Sequence, residues 1–314
     1  MNVLVTGGLG FQGGHLTRRL LHRGHHVTIL NTPSARARLA RDRLCAGAPF
    51  SHGILDVVWG SVTSPLLVRS CVDQADVVVH LAAVANPEAC REDPTHALLV
   101  NVRGTQHILD MCREYRKRLL HVSTCEVYGA PTSDGLLQHE DSSPLNPAHI
   151  YGATKAAADR LAYAYALEFH MSIVIVRPCN VYGPYQQAGE HGAVIPTMTT
   201  RALRGETIIV RGSPVREFVH VDDVTRWYVQ LIEHEDAGAV VLNLGTGERV
   251  SIPEIAEIIA RETGAPIELA APRPSEPRAF ALDLSRARAN GFESSISFAS
   301  GLVGYIEWAR DFYK

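Results

Sequence analysis

A phenol and an ammonium stand four residues apart in the run Tyr151-Gly152-Ala153-Thr154-Lys155. On a helix, that spacing puts both on one face. A free phenol has a pKa of about 10, too high for a base at neutral pH. A cation about 4 Å away, at an effective dielectric near 20, contributes roughly 4 kcal/mol, or about three pKa units. The spacing therefore predicts that Lys155 lowers the pKa of Tyr151 and makes it a base for an alcohol proton. A positively charged ring bound alongside would add to the effect, and Lys155 could also hold the hydroxyls of a ligand. The chain has only Lys117, Lys155 and Lys314 as lysines, which makes a lysine at this spacing informative.

Upstream lies His121-Val122-Ser123-Thr124-Cys125-Glu126-Val127-Tyr128-Gly129. Thr124 can share the proton of the hydroxyl being oxidised. Cys125 and Glu126 add two more groups able to move protons. Oxidation alone needs only the hydroxyl, Tyr151 and Lys155, so the extra carboxylate points to proton abstraction from carbon or to protonation of a leaving group. The bland alternative is that Glu126 caps the loop and Cys125 is a small packing residue.

At the start of the chain, Thr6-Gly7-Gly8-Leu9-Gly10-Phe11-Gln12-Gly13 follows an apolar run. Gly7, Gly10 and Gly13 form a G-x-x-G-x-x-G loop opening a helix. The first two let the backbone turn tightly against a pyrophosphate, and the third lets the helix pack on the strand. The helix N-terminus offers N–H donors to the phosphates. Phe11 and Gln12 open that helix. An acid often ends the second strand of such a site and binds ribose hydroxyls; here the position holds Asn31, with Arg36 and Arg38 shortly after. NAD is the expected cofactor and NADP the alternative. Leu81, Ala82 and Ala83 supply small residues where a cofactor would lie close to backbone.

These residues need a scaffold of strand ends. Asn2–Thr6, His26–Leu30, Asp76–His80, Arg118–Val122 and Ser172–Val176 read as buried strands, and Phe11–Arg23, Thr95–Tyr115 and Tyr151–His170 as helices. The alternation predicts an α/β fold, a Rossmann-type doubly wound parallel sheet with ligands at the carboxyl ends of its strands. Residues 1–180 with 217–247 form the expected dinucleotide-binding domain, the latter stretch carrying a helix near Asp222–His234 and a strand at Val240–Leu244. The Pro/Gly-rich stretches 181–216 and 248–314 form a smaller C-terminal substrate lobe expected to close over the strand ends. At 314 residues, 46% hydrophobic, 20% charged and net charge −3, the chain gives no electrostatic argument for nucleic acid or an anionic membrane. No C-x-x-C pair, Cys/His cluster, leader or long apolar run is seen, so neither metal, disulfide framework nor membrane anchoring is expected, and the expected compartment is the cytoplasm.

Taken together, these motifs resemble the extended short-chain dehydrogenase/reductases, in the nucleotide-sugar epimerase/dehydratase/decarboxylase group, over essentially the whole chain. The resemblance implies Thr124 as the catalytic Ser/Thr, Tyr151 as the base, Lys155 as its partner and Asn101 as a structural residue of the cofactor site. Asn180-Val181-Tyr182-Gly183-Pro184 resembles the family's N-x-Y-G-P loop, whose Asn contacts a substrate diphosphate. Arg216 and Arg273 match two diphosphate-binding arginines, a role that suits the planar guanidinium fork. The chain departs from the pattern at Asn31, at Ser61 (where Asp is usual after Gly60) and at Cys125. Sugar 4,6-dehydratases often have Asp then Glu here, and decarboxylases Ser then Glu. The run Ser-Thr-Cys-Glu-Val-Tyr-Gly resembles most closely the UDP-N-acetylglucosamine 5,6-dehydratase type of the tunicamycin pathway, an antibiotic biosynthesis.

The resemblance implies 4,6- or 5,6-dehydration of a UDP-hexose through a transient 4-ketone. Rival readings are UDP-glucuronate decarboxylation, 4-epimerisation and a non-catalytic dinucleotide sensor; the intact Thr124, Tyr151 and Lys155 set argues against the last. By the same analogy, a homodimer is expected through the Thr95 and Tyr151 helices.

Overall fold

The computed structural model describes residues 1–46, 53–131, 136–189, 192–234, 240–272 and 279–313. Its strands are β1 (Asn2–Thr6), β2 (His26–Asn31), β3 (Ile54–Trp59), β4 (Val77–His80), β5 (Arg118–Val122), β6 (Ile173–Pro178), β7 (Asn180–Tyr182), β8 (Ile208–Arg211), β9 (Val215–His220), β10 (Val240–Leu244), β11 (Arg249–Ser251) and β12 (Ile267–Ala270). Seven of them form one sheet in the order β10-β6-β5-β4-β1-β2-β3. The β5–β6, β4–β5, β1–β4, β1–β2 and β2–β3 ladders are all parallel. Every residue of β4 is buried, as expected of a strand covered on both faces. The edge strand β3, which the sequence reading passed over, has exposed or half-buried residues throughout.

Helices α1 (Phe11–His22), α2 (Ala35–Ala46), α3 (Pro65–Asp73), α4 (Pro87–Glu92), α5 (Pro94–Leu98), α6 (Thr105–Glu114) and α7 (Ile150–Glu168) link these strands. The chain continues with α8 (Val194–Leu203), α9 (Val221–Glu233), α10 (Ile252–Thr263), α11 (Ser285–Ala289) and α12 (Phe298–Phe312). Helix α1 buries Gly13, Leu16, Thr17, Leu20 and Leu21, the stripe that its 3.6-residue period directs at the sheet. The helix expected over Thr95–Tyr115 is not continuous. A π-helical turn, Leu99–Gly104, separates α5 from α6. Asn101 lies in that turn, where it accepts the Val84 N–H at 2.8 Å and donates to the Thr154 hydroxyl at 2.9 Å. Wide turns of this kind occur mostly as single turns inside α-helices, frequently at functional sites.

Contacts divide the chain into two compact units. The first comprises Met1–Val127, Pro147–Arg177 and Thr225–Leu242. Its core includes Leu4, Val78, Leu119 and Ile173 from the sheet, and Val68, Ile108, Leu109 and Ala162 from helices. The second comprises Tyr128–Asn146, Pro178–Val224 and Asn243–Lys314. It holds the small sheets β11-β9-β7 and β12-β8, and a core around Tyr182, Phe218, Ile255, Phe298 and Tyr305. Its helix α10 opens on a reciprocal Ser251/Glu254 capping box and closes on Gly264 in the left-handed region, as its sequence signals require. Among the described residues no helix is long and apolar enough to cross a membrane.

Candidate active site

Strand order reverses between β1 and β4, which puts a ligand crevice at their carboxyl ends. Gly7 turns there with φ +72°, and a Cβ on it would lie 2.9 Å from the Ala82 nitrogen. A Cβ on Gly13 would lie 2.3 Å from the Gly7 carbonyl oxygen, so both glycines are required by backbone closeness. Helix α1 starts at Gly10 with no side-chain cap and no acid in its first turn. Its N–H donors therefore face no competing carboxylate of their own, and the loop fits a dinucleotide pyrophosphate. Asn31 accepts the Leu9 N–H at 3.2 Å, so this side chain also holds the glycine loop. Phe11 stands edge-on to His15, and Gln12 accepts from the Tyr228 hydroxyl at 2.8 Å. Leu81, Ala82 and Ala83 follow β4, where the Leu81 and Ala82 N–H groups donate to the Thr6 carbonyl and hydroxyl. Ser61 accepts from the Thr63 N–H and hydroxyl, a local turn in the place of the usual acid.

A buried histidine ties this crevice together. The Thr105 hydroxyl donates to the Asn101 carbonyl at 2.7 Å, so it accepts from His80 Nε2–H at 2.9 Å. His80 Nδ1 is then the acceptor for the Thr6 hydroxyl at 2.7 Å. Burial, and next the charge of Lys155, pushes the His80 pKa down to about 3, which keeps the ring neutral.

The second cluster gathers at the end of β5. Cys125–Val127 form a 3-10 turn. Cys125 is buried, Thr124 and Glu126 are half-buried, and the Thr124 hydroxyl accepts the Glu126 N–H at 3.3 Å. Helix α7 brings Tyr151 and Lys155 to the same place. Gly152 makes this possible, because a Cβ on it would meet the Glu126 carbonyl oxygen at 2.9 Å and Pro147 at 2.8 Å. Lys155 is buried and donates to the Val122 carbonyl at 2.7 Å. One turn further, Asp159 forms a fully buried ion pair with Arg177, at 2.9 Å to Nε and 2.8 Å to Nη2. Tyr151, Lys155 and Asp159 thus recur at four-residue intervals along α7.

The electrostatics differ from the expectation drawn from spacing. Tyr151 is pushed above the ordinary phenol value rather than below it. Burial is the largest cause and the Glu126 carboxylate the next, while a hydrogen bond with Thr124 pulls the other way. Spacing predicts that Lys155 is near, but it does not account for the desolvation that accompanies burial. The same desolvation brings Lys155 itself down to about 8, against the pull of Asp159. Asp159 is held well below the carboxylate range: burial raises it, but the hydrogen bonds and charge of Arg177 outweigh that.

Sequence reasoning missed His149. It is the N-cap of α7, accepts the Gly152 N–H on Nδ1 at 3.0 Å and sets Nε2 3.1 Å from Glu126 Oε2. The available signal was a histidine at a position where Ser, Thr, Asp or Asn is preferred. In the second unit, Asn180 donates to the Glu217 carbonyl at 3.0 Å and Arg216 to the Val215 carbonyl at 2.9 Å. Arg273 lies outside the described residues. Among the described residues no group of three or more His, Cys, Asp or Glu could hold a metal ion.

A glycine loop at the switch point, with Thr124, Tyr151 and Lys155 gathered near the end of β5, is the arrangement that a dinucleotide-dependent enzyme would need. The chain belongs to the NAD dependent epimerase/dehydratase family, whose model matches residues 3–245. A dTDP-glucose 4,6-dehydratase of Streptomyces niveus is 32% identical over 324 residues, 99% of this chain and 93% of the relative. Among solved structures, the UDP-glucose 4-epimerase of Thermotoga maritima with UDP-glucose has a TM-score of 0.89 at 26% identity, covering 100% of both chains. The dTDP-glucose 4,6-dehydratase DesIV of Streptomyces venezuelae, with NAD bound, has 0.86 at 31% identity, covering 99% of this chain and 97% of the other.

Proposed function

We propose that this chain is an NAD-dependent nucleotide-sugar dehydratase acting on a UDP-linked hexose through a 4-keto intermediate. The observation that carries the reading is the Glu126 carboxylate, 3.1 Å from His149 at the start of α7 and close enough to raise the pKa of Tyr151. Simple oxidation needs no such group. NAD, when bound, takes a hydride and later returns it. Gly7, Gly10, Phe11, Gln12, Gly13, Asn31 and Leu81–Ala83 would hold it, Asn101 would set the loop at Val84, and Tyr151 and Lys155 would reach its ribose.

Thr124 and Tyr151 share the proton of the 4-hydroxyl; since burial and Glu126 raise the phenol, Tyr151 receives it as the phenolate that the charges of Lys155 and of a bound nicotinamide would favour. The ketone acidifies the hydrogen on carbon 5, and Glu126 accepts that proton. Cys125 gives a proton to the departing 6-hydroxyl, which leaves as water with the electron pair of its C–O bond. Bonding electrons from the C5–H bond become the 5,6 double bond. Asn180, Arg216 and Arg273 are the proposed diphosphate contacts, resting on the family resemblance and on guanidinium–phosphate geometry. The first unit is thus the proposed NAD-binding domain, and the second is proposed to bind the nucleotide sugar.

Leu98, Leu99 and Leu167 are 52%, 49% and 51% exposed on the Thr95 and Tyr151 helices, which supports a homodimer through those helices. Six cysteines, none in a disulfide, suit the cytoplasm as the working compartment. Decarboxylation of a UDP-uronic acid is the second reading, since the resemblance places the same carboxylate in decarboxylases. Incubation with UDP-, GDP- and dTDP-hexoses and uronic acids, followed by product mass, separates the outcomes. Loss of water from a UDP-hexose is expected. Loss of carbon dioxide would replace the reading with decarboxylation, and an isomer of unchanged mass with epimerisation. No turnover of any sugar by the NAD-loaded protein would overturn the enzymatic reading. Full dehydration by Glu126→Gln would remove the role given to that residue.

A further inference from the structure

An ordinary helix N-cap satisfies one backbone N–H with a short side chain. His149 does more, because an imidazole presents nitrogens on two sides of its ring. Nδ1 accepts the Gly152 N–H at 3.0 Å. A ring nitrogen can accept only with a free lone pair, so the proton of the neutral ring sits on Nε2. That Nε2–H points at Glu126 Oε2, 3.1 Å away. The ring also lies parallel to Tyr151, with centroids 6.0 Å apart and planes 3° apart. One side chain therefore contacts the start of α7, the phenol and the carboxylate, and the helix backbone selects which tautomer it uses.

We infer that His149 is a positioning residue for Glu126, holding its carboxylate beside Tyr151 for proton removal from the keto intermediate. The inference rests on the dehydratase reading for its kinetic consequence, and on geometry alone for the tautomer and the bond. Without the Nε2–H donor, the half-exposed carboxylate is free to rotate into solvent. Misplacement of a reacting group by about 1 Å costs on the order of 100-fold. Ketone formation uses Thr124 and Tyr151 and does not need that donor.

The test compares His149→Ser, which retains an N-cap hydroxyl, with His149→Phe, which retains an aromatic ring beside Tyr151. Single-turnover formation of reduced nicotinamide reports the ketone, and loss of the carbon-5 hydrogen to deuterated water reports the Glu126 step. In both variants, ketone formation is expected within about threefold of wild type, with carbon-5 exchange down roughly 10- to 100-fold. Adding His149→Ser to Glu126→Gln is expected to cost nothing further. Wild-type exchange in His149→Ser, equal losses in both steps, or multiplicative losses in the double variant would each overturn the inference. Nitrogen NMR of the labelled protein tests the geometry even if no sugar is dehydrated, which separates failure here from failure of the dehydratase reading. An Nε2–H tautomer whose shift changes in Glu126→Gln is expected. An Nδ1–H tautomer would overturn the inference.

Discussion

Helices α1 and α7 both start at strand ends of the same unit, yet their N-termini are finished in opposite ways. Gly10 leaves the donors of α1 without a side-chain cap, while His149 caps α7 and extends from there to Glu126. One terminus offers its partial positive charge to a ligand. The other consumes its free N–H internally and gains a fixed side chain in return. In the proposed mechanism, the same backbone feature serves binding at one strand end and orientation of the Glu126 carboxylate at the other.

Four changes break or sharpen that contrast. The largest effect is expected from Tyr151→Phe, which keeps the α7 start intact but removes the group it presents. Ketone formation should fall by about 10²- to 10⁴-fold in single-turnover assays, with NAD affinity by calorimetry reduced far less, by the one ribose hydrogen bond that is lost. Next is Gly10→Asp, which would give α1 the cap that it lacks. Its backbone, φ −75° and ψ −177°, is one that an L-residue adopts, but a Cβ there would lie 3.1 Å from the Gly7 carbonyl oxygen, so Gly10→Ala is the control for the added carbon. A carboxylate there competes with the pyrophosphate, and a loss of roughly 100-fold in NAD affinity beyond that of Gly10→Ala is expected from like-charge repulsion, with the two variants melting alike. Unchanged affinity would mean that the open terminus is not the phosphate site.

Lys155→Met probes the interior of α7. Burial lowers the Lys155 pKa from 10.5 to about 8, which corresponds to about 3 kcal/mol against the charged folded form. Below pH 8 both folded and unfolded chains carry the proton, and the full penalty is present. Between pH 8 and 10.5 only the unfolded chain carries it, so this contribution to stability rises with pH. The variant, which lacks the penalty, should be more stable than wild type at neutral pH, less the cost of the freed Val122 carbonyl, about 1–3 kcal/mol. Its advantage should vanish toward pH 10.5, as urea titrations at several pH values would measure. The smallest change is His149→Ala, expected to destabilise by about 1 kcal/mol through the lost cap, with His149→Ser recovering most of it in thermal melts.

The glycine loop was legible because glycine is the only residue that satisfies a 2.3 Å or 2.9 Å backbone approach, and that need is written directly in the sequence. Strands β1, β2, β4, β5, β6 and β10 were legible from their apolar runs, and the Tyr151–Lys155 face from helical period, while the more exposed β3 was not. What a residue's surroundings do to its charge was not legible. Spacing placed Lys155 near Tyr151, but burial and Glu126 move the phenol in the opposite direction. The pairing of Glu126 with His149 joins residues far apart in sequence, and a histidine cap has no periodic signature. The place of Asn101 was hidden for a related reason: its partner, the Val84 backbone, lies in another segment.

The bond from Lys155 to the Val122 carbonyl joins α7 to the strand that carries Thr124. Val122 in turn is paired with Val176 on β6. A two-residue slip of β5 would keep every side chain on its proper face, yet carry Thr124 about 7 Å from its place. Such a mispaired chain would still be compact and helical, but it would be inert. Recovered turnover after refolding would therefore count the molecules whose central ladder closed in the right register, a quantity that circular dichroism cannot distinguish.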